Sequence, residues 1–329
     1  MAQFTKYSST DASAPVLNGT AGSLITVLDA VLVNGYGAKA AAGWSQPIAT
    51  ASDIACYKQG VASKAACTLL VNDDGSGTPP ATAARITGWR TLTTLTGVGV
   101  GSGQFPLPSQ LQTTGFCSVR KSASADATSR PWVVYADDRT FYFFMGSEAG
   151  GVRRDFGFGE FYSYWGASDT NNCFIQGRVA EGTSTQSAPN GGFDKMNKPS
   201  QSSGNSGAYF LDTYAGVSGS TLMSPCGDDS KAPGFIIATS GIAAVGSIPA
   251  PNPSDNSYYL AYFNLLEPSW AIRGRYRGLV HICHSLASIG DGSTFTGTGE
   301  FSGRTYDVVN TAGAGGMVGV ETSDTLDTN

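Results

Sequence analysis

Ionic charge is scarce in this chain: only 14% of its 329 residues are Asp, Glu, Lys or Arg. Ordinary soluble domains carry roughly 25%. Histidine is scarcer still, with His281 and His284 the two in the whole sequence. A Ser-His-Asp or Cys-His arrangement would have to use one of them, and no serine lies in a G-x-S-x-G elbow. No apolar run approaches the roughly 20 residues that span a bilayer, so no membrane insertion is expected. The opening Met1 to Tyr7 has no basic stretch followed by an apolar one. The expectation is synthesis in a cytoplasm, without a secretory leader. A basic stripe is missing too. Net charge is −5, and the densest basic stretches, 121–130 and 273–277, are interrupted. Nucleic-acid binding driven by phosphate contacts is therefore not expected. The six cysteines, Cys56, Cys67, Cys117, Cys173, Cys226 and Cys283, form no C-x-x-C pair. They read as buried thiols, with a Cys56–Cys67 bridge across a hairpin left open.

What the sequence does contain is glycine, hydroxyl side chains and a sufficient apolar share. Glycine supplies 43 residues and 41% of the chain is hydrophobic. Disordered chains combine low hydrophobicity with high net charge, which is the opposite profile. The composition is that of a compact, turn-rich β protein with a polar but weakly ionic surface.

Along the chain, residues 1–20 read as an extended N-terminal arm. Residues 21–180 read as a helix followed by a β domain. Leu24, Ile25, Leu28, Val31 and Leu32 recur at helical spacing, with Asn18, Thr20 or Ser23 as N-cap and Asn34-Gly35 as the stop. The apolar stripe is narrow, which predicts a helix with one face on a sheet or another subunit and its other face in solvent. Strands are expected at Ala55–Tyr57, Cys67–Asn72 and Arg85–Leu95. The clearest hairpin pairs Trp132–Tyr135 with Thr140–Phe144, and Phe156–Tyr162 and Cys173–Gly177 extend the same sheet. Residues 181–206 form a polar low-complexity loop. Residues 207–311 are a second β region of the same globule, with strands at Phe235–Ala238, Tyr258–Phe263 and Ala271–Ile282. In the last of these Arg273, Arg275 and Arg277 alternate, as on a strand with one charged face. Residues 312–329 read as a mobile tail. The fold class is α+β and mainly β: an antiparallel sheet or sandwich with one N-terminal helix packed on it.

Candidates for chemistry are few. His281, Cys283 and His284 are the one metal-like cluster, but on a strand His281 and Cys283 share a face while His284 opposes them. No second Cys/His pair completes four ligands, so neither a metal nor another cofactor is expected. The pairs Asp73-Asp74, Asp137-Asp138 and Asp228-Asp229 fall where turns are expected. The glycines of 97–103 lack a strand–loop–helix setting and a P-loop lysine, so they do not suggest a phosphate cradle. An enzyme is not expected. The aromatic string Phe156, Phe158, Phe161, Tyr162, Tyr164 and Trp165 suits a core, a subunit interface or a sugar-stacking platform. Candidate interface residues are Leu24, Leu28, Val31, Trp44, Trp132, Phe156, Phe158, Phe161, Tyr162 and Trp165.

Three segments carry a resemblance. They are Ala14 to Trp44 (APVLNGTAGSLITVLDAVLVNGYGAKAAAGW), Trp132 to Phe144 (WVVYADDRTFYFF) and Phe158 to Tyr164 (FGEFYSY). Together they resemble a family of virion structural proteins encoded by tailed bacteriophages, with the first the most specific and all three in the first half. The resemblance implies a particle component that packs against other virion proteins and copies of itself. A tail or baseplate position is favoured over head decoration or a minor capsid role. It implies no catalytic residues. A different class of expectation is a receptor- or glycan-binding module at the tail periphery, for which the partner is a host-surface glycan.

Overall fold

The computed structural model describes residues 3–60, 64–75, 81–96, 99–107, 116–146, 153–179, 206–210, 212, 214–216, 221–222, 258, 260–266, 272–282, 289–310 and 317–323. The chain opens with β1 (Thr5–Ser8) and α1 (Ser23–Leu28), which continues as a π-helical segment over Asp29–Asn34. Next come β2 (Ile54–Lys58), β3 (Thr68–Asn72), β4 (Ala83–Thr94), β5 (Val100–Phe105) and β6 (Cys117–Arg120). The central strands are β7 (Trp132–Ala136), β8 (Thr140–Gly146), β9 (Arg153–Glu160), β10 (Tyr162–Ser163) and β11 (Cys173–Val179). The remainder are β12 (Ser206–Phe210), β13 (Thr221–Leu222), β14 (Leu260–Leu266), β15 (Ile272–Ile282), β16 (Thr294–Thr296), β17 (Thr305–Asn310) and β18 (Met317–Glu321).

Among the described residues these strands form two sheets, and every pairing is antiparallel. The larger has 12 strands in the order β1-β7-β8-β9-β11-β6-β4-β3-β2, with β12 also on β11, β13 on β12, and β5 also on β4. The smaller has six, ordered β10-β15-β18-β17-β16 with β14 also on β15. The chain is thus mainly β with one N-terminal helix, as its sequence predicts.

Strand β8 explains the layering. Successive side chains on a strand point to opposite faces. Phe141, Phe143 and Met145 join a core with Leu24, Leu28 and Val31 of the helical segment. Tyr142 and Phe144 join a second core with Tyr276 and Leu279 of β15 and Val318 and Val320 of β18. Around β7, β8, β9 and β11 both faces of the large sheet are covered, one by the helix and the other by the smaller sheet. Each fully buried Leu, Val or Phe contributes roughly 1.5–3 kcal/mol, so three layers yield two cores.

Several sequence expectations need correction. The segment 1–20 is not a free arm over its described part: β1 pairs with β7, and Phe4, Tyr7 and Leu17 are buried. The tail reading fails for Met317–Glu321, which is a strand between β15 and β17 with Val318 and Val320 buried. The helix is more enclosed than its narrow stripe suggests, because Ser23 and Val27, outside the stripe, are also buried. Asn34-Gly35 does end it, with Gly35 at φ 77°. Its N-terminus is capped from afar. Gly22 is the N-cap and offers no side chain, while the Leu24 amide donates to Asp73 Oδ2 at 2.9 Å from the end of β3. Asp73 is further paired with the buried Lys121 ammonium. Cys56 stands opposite Leu70, not Cys67, and the four described cysteines are free and buried. Of the loop expected over 181–206, Ser206 begins β12 and the rest lies outside the described residues, as do the strand expected at Phe235–Ala238 and Cys226, Cys283 and His284.

Candidate functional site

The short strand β10 lies against β15, with Tyr162 opposite Arg275 and Ser163 opposite Gly274. Gly274 is required by this approach, since a Cβ there would lie 2.1 Å from the Tyr162 carbonyl oxygen. The Tyr164 amide continues the pairing onto the Arg273 carbonyl at 2.9 Å. The chain then turns through Trp165 into a single 3-10 turn, Gly166–Ser168.

This geometry gathers aromatic rings around two guanidinium groups. Arg275 is half-buried, 3.8 Å from the Tyr262 ring centre, 4.9 Å from that of Tyr162 and 5.9 Å from that of Tyr164. All three distances are within cation–π range. Tyr164 OH donates to Asn264 Oδ1 at 2.8 Å, tying β10 to β14. Beside it, Trp165 stacks on Tyr214 with ring centres 4.7 Å apart. Arg273 underlies this pair: its guanidinium sits 5.8 Å from the Tyr214 ring and 5.5 Å from that of Phe161. Arg273 is itself buried and holds Asp169 through two bonds of 2.6 and 2.7 Å. The result is a rigid base under an open surface, on which Trp165 is 51%, Tyr164 47% and Tyr214 40% exposed. Such a surface offers flat aromatic rings, with the half-buried Arg275 guanidinium among them. It can bind by stacking.

Of the expected interface residues, Trp165 and the half-buried Tyr162 belong to this patch. Leu24, Leu28, Val31, Trp44, Trp132, Phe156, Phe158 and Phe161 do not: all are buried within the chain. Both faces of the strands that carry the phenylalanines are covered, so these side chains serve the two cores and no neighbouring subunit can reach them. The expected charged face of β15 is also corrected. Arg273 and Arg277 are buried, each in a bidentate pair with an aspartate, Asp169 and Asp137.

The metal candidates do not assemble among the described residues. His281 is buried against Phe263, ring centres 5.8 Å apart, and burial lowers its pKa to about 4. No group of three His, Cys, Asp or Glu able to hold a metal occurs among the described residues. Asp137 does the work of a turn residue, accepting from the Arg139 and Thr140 amides at 2.9 and 2.8 Å. The Tyr162–Trp165 half of the patch was visible as an aromatic string. Its meeting with Arg275, Tyr214, Tyr262 and Asn264 was not, because these arrive from β14, β15 and the turn at Tyr214, distant in sequence; the alternating arginines were the available signal. No protein-family model and no curated protein matches the chain.

Proposed function

We propose that the chain is a structural component of a tailed-phage virion, acting by subunit packing and not by catalysis. A tail or baseplate position is favoured over head decoration. The observation that carries the reading is the open patch of Trp165, Tyr214 and Tyr164, with the half-buried Arg275 beside it. Aromatic residues and arginine are enriched in the centres of protein interfaces and at their energetic hot spots. Their rigid support from Arg273 and Asp169 keeps the ordering cost of docking low. The low ionic content of the chain agrees with a surface that is largely covered in an assembly.

The test is incorporation into particles. The double variant Trp165→Ala/Tyr214→Ala removes exposed rings and should leave the unfolding temperature near that of the parent. Hot-spot loss predicts at least about a tenfold fall in copies per purified particle. Incorporation at the parental level would defeat the proposal, as would finding the parent protein only in the soluble fraction of infected cells. Electron microscopy with a label on the C-terminal segment separates tail from capsid.

A further inference from the structure

Away from the aromatic patch, the turn that follows β1 forms a cleft with the smaller sheet. We infer that this cleft binds a neutral saccharide of one or two rings. The inference is independent of the packing role and of the aromatic patch.

The cleft encloses about 320 Å³. That is at the small end of ligand sites, which run from about 300 to 1,000 Å³. Its walls mix donors, acceptors and apolar surface. Ser8, Thr10, Asp11, Lys6 and Lys39 supply the polar side, while Val133, Pro131 and Val309 supply the apolar one. The polar groups are fixed in place. Asp11 Oδ2 accepts from the Ser8 amide and from Tyr36 OH, both at 2.8 Å. Lys39 Nζ donates to the Lys6 carbonyl at 2.9 Å and lies 3.9 Å from Asp11. Lys6 Nζ is paired with Asp307 at 2.6 Å.

Charge decides the ligand class. Both ammonium groups already face carboxylates, and Asp291 also lines the cleft. An anion would meet no net positive charge. An apolar ligand would strip water from lysines and carboxylates without replacing its hydrogen bonds, which is costly. A neutral polyol avoids both penalties. Its hydroxyls donate to Asp11 and accept from Lys39 and the Ser8–Thr10 hydroxyls, while its C–H face lies on Val133 and Pro131. Asp11 uses one carboxylate oxygen in the fold, and Oδ1 carries no hydrogen bond among the described residues. Asp11 is partly exposed and lines the cleft, so that oxygen is an acceptor open to a ligand hydroxyl.

The experiment is calorimetry and saturation-transfer NMR on the full chain. The probes are glucose, galactose and N-acetylglucosamine, with glucuronate and inorganic phosphate as charged comparators. Binding of at least one neutral sugar is expected, weakened about tenfold or more by Asp11→Asn, since a hydrogen bond to a charged group is lost. Asp11 also holds Tyr36, so Lys39→Gln, at a side chain 38% exposed whose one hydrogen bond among the described residues is to the Lys6 carbonyl, repeats the test at lower cost to the fold, with the unfolding temperature as control. Trp165→Ala should bind sugar as the parent does. The inference is overturned if no neutral sugar binds, if phosphate or glucuronate binds in preference, or if Lys39→Gln leaves sugar affinity unchanged. It is equally overturned if Trp165→Ala, and not the cleft variants, abolishes binding.

Discussion

His281 illustrates how burial sets the titration of a residue whose surroundings sequence alone leaves open. In the sequence it heads a short His/Cys cluster that resembles part of a metal site. In the fold it is 1% exposed, paired across strands with Ala261 and Val318 and set edge-on to Phe263. Desolvation disfavours its charged form and holds its pKa near 4, below the ordinary 6.5. A base with a depressed folded-state pKa contributes stability above its unfolded pKa, and loses it as pH falls from about 6.5 towards 4. Asp73 works in the opposite sense: burial raises its carboxyl to about 6, against the pull of Lys121, so folding gains as pH falls below about 6. The two partly cancel in the parent protein, so the informative measurement is a difference. The stability advantage of the parent over His281→Leu should shrink between pH 7 and pH 4. The expected change is on the order of 3 kcal/mol, at about 1.4 kcal/mol per pKa unit. Urea unfolding of both proteins across that range measures it, and parallel stability curves would contradict the assignment.

At the level of elements, legibility follows the range of the interactions. The helix and the β7–β8 hairpin were readable because their partners are local: a 3.6-residue stripe, and two aromatic strands around a short turn. Strand β1 was not. Its sequence, Thr5-Lys6-Tyr7-Ser8, is short and half polar, as an edge strand should be, and only its partner β7, more than a hundred residues away, defines it. Strand β18 was hidden by the glycines before it and the acidic stretch after it. Its alternating valines, Val318 and Val320, become core only because β15 and β17 flank them. These placements distinguish a strand from an arm. Phe4 is 2% exposed and meets the Tyr142 ring edge-on, with centres 5.5 Å apart. Phe4→Ala should therefore cost about 3–5 kcal/mol, the range for emptying a buried phenylalanine site. A dispensable docking arm would lose almost nothing in a denaturant titration.

For the molecule as a whole, the question is what makes two sheets one folding unit. Apolar burial between them is non-directional, but β15 adds directed links across the layer. Arg277 holds Asp137 of the β7–β8 turn through bonds of 2.6 and 3.1 Å, and also reaches Thr140 Oγ1 at 2.9 Å. The Arg277 carbonyl in turn accepts from Tyr142 OH of β8 at 2.8 Å. Arg273 repeats the device with Asp169, and Lys6 of β1 reaches Asp307 of β17. Sequence could show the alternating arginines but not their depth, because that depends on which sheet covers them. A buried guanidinium is tolerated only when its charge and donors are matched. Removing one partner leaves the other charge stranded, which costs about 3–5 kcal/mol. Arg277→Ala should lower stability by that amount, and Arg277→Lys should recover only part of it, since an ammonium cannot reproduce the bidentate fork. The coupling of the sheets predicts more than a loss of stability. In the parent, tryptophan fluorescence and far-ultraviolet circular dichroism should report one coincident transition. Of the five tryptophans, Trp44, Trp89 and Trp132 belong to the large sheet and its helix side, so in a background carrying Trp165→Phe and Trp270→Phe fluorescence follows that layer while circular dichroism follows both. In Arg277→Ala the smaller sheet loses one of its anchors, and any early loss should appear in circular dichroism before fluorescence. Coincident transitions in the variant, with stability unchanged, would mean that apolar packing alone joins the two sheets.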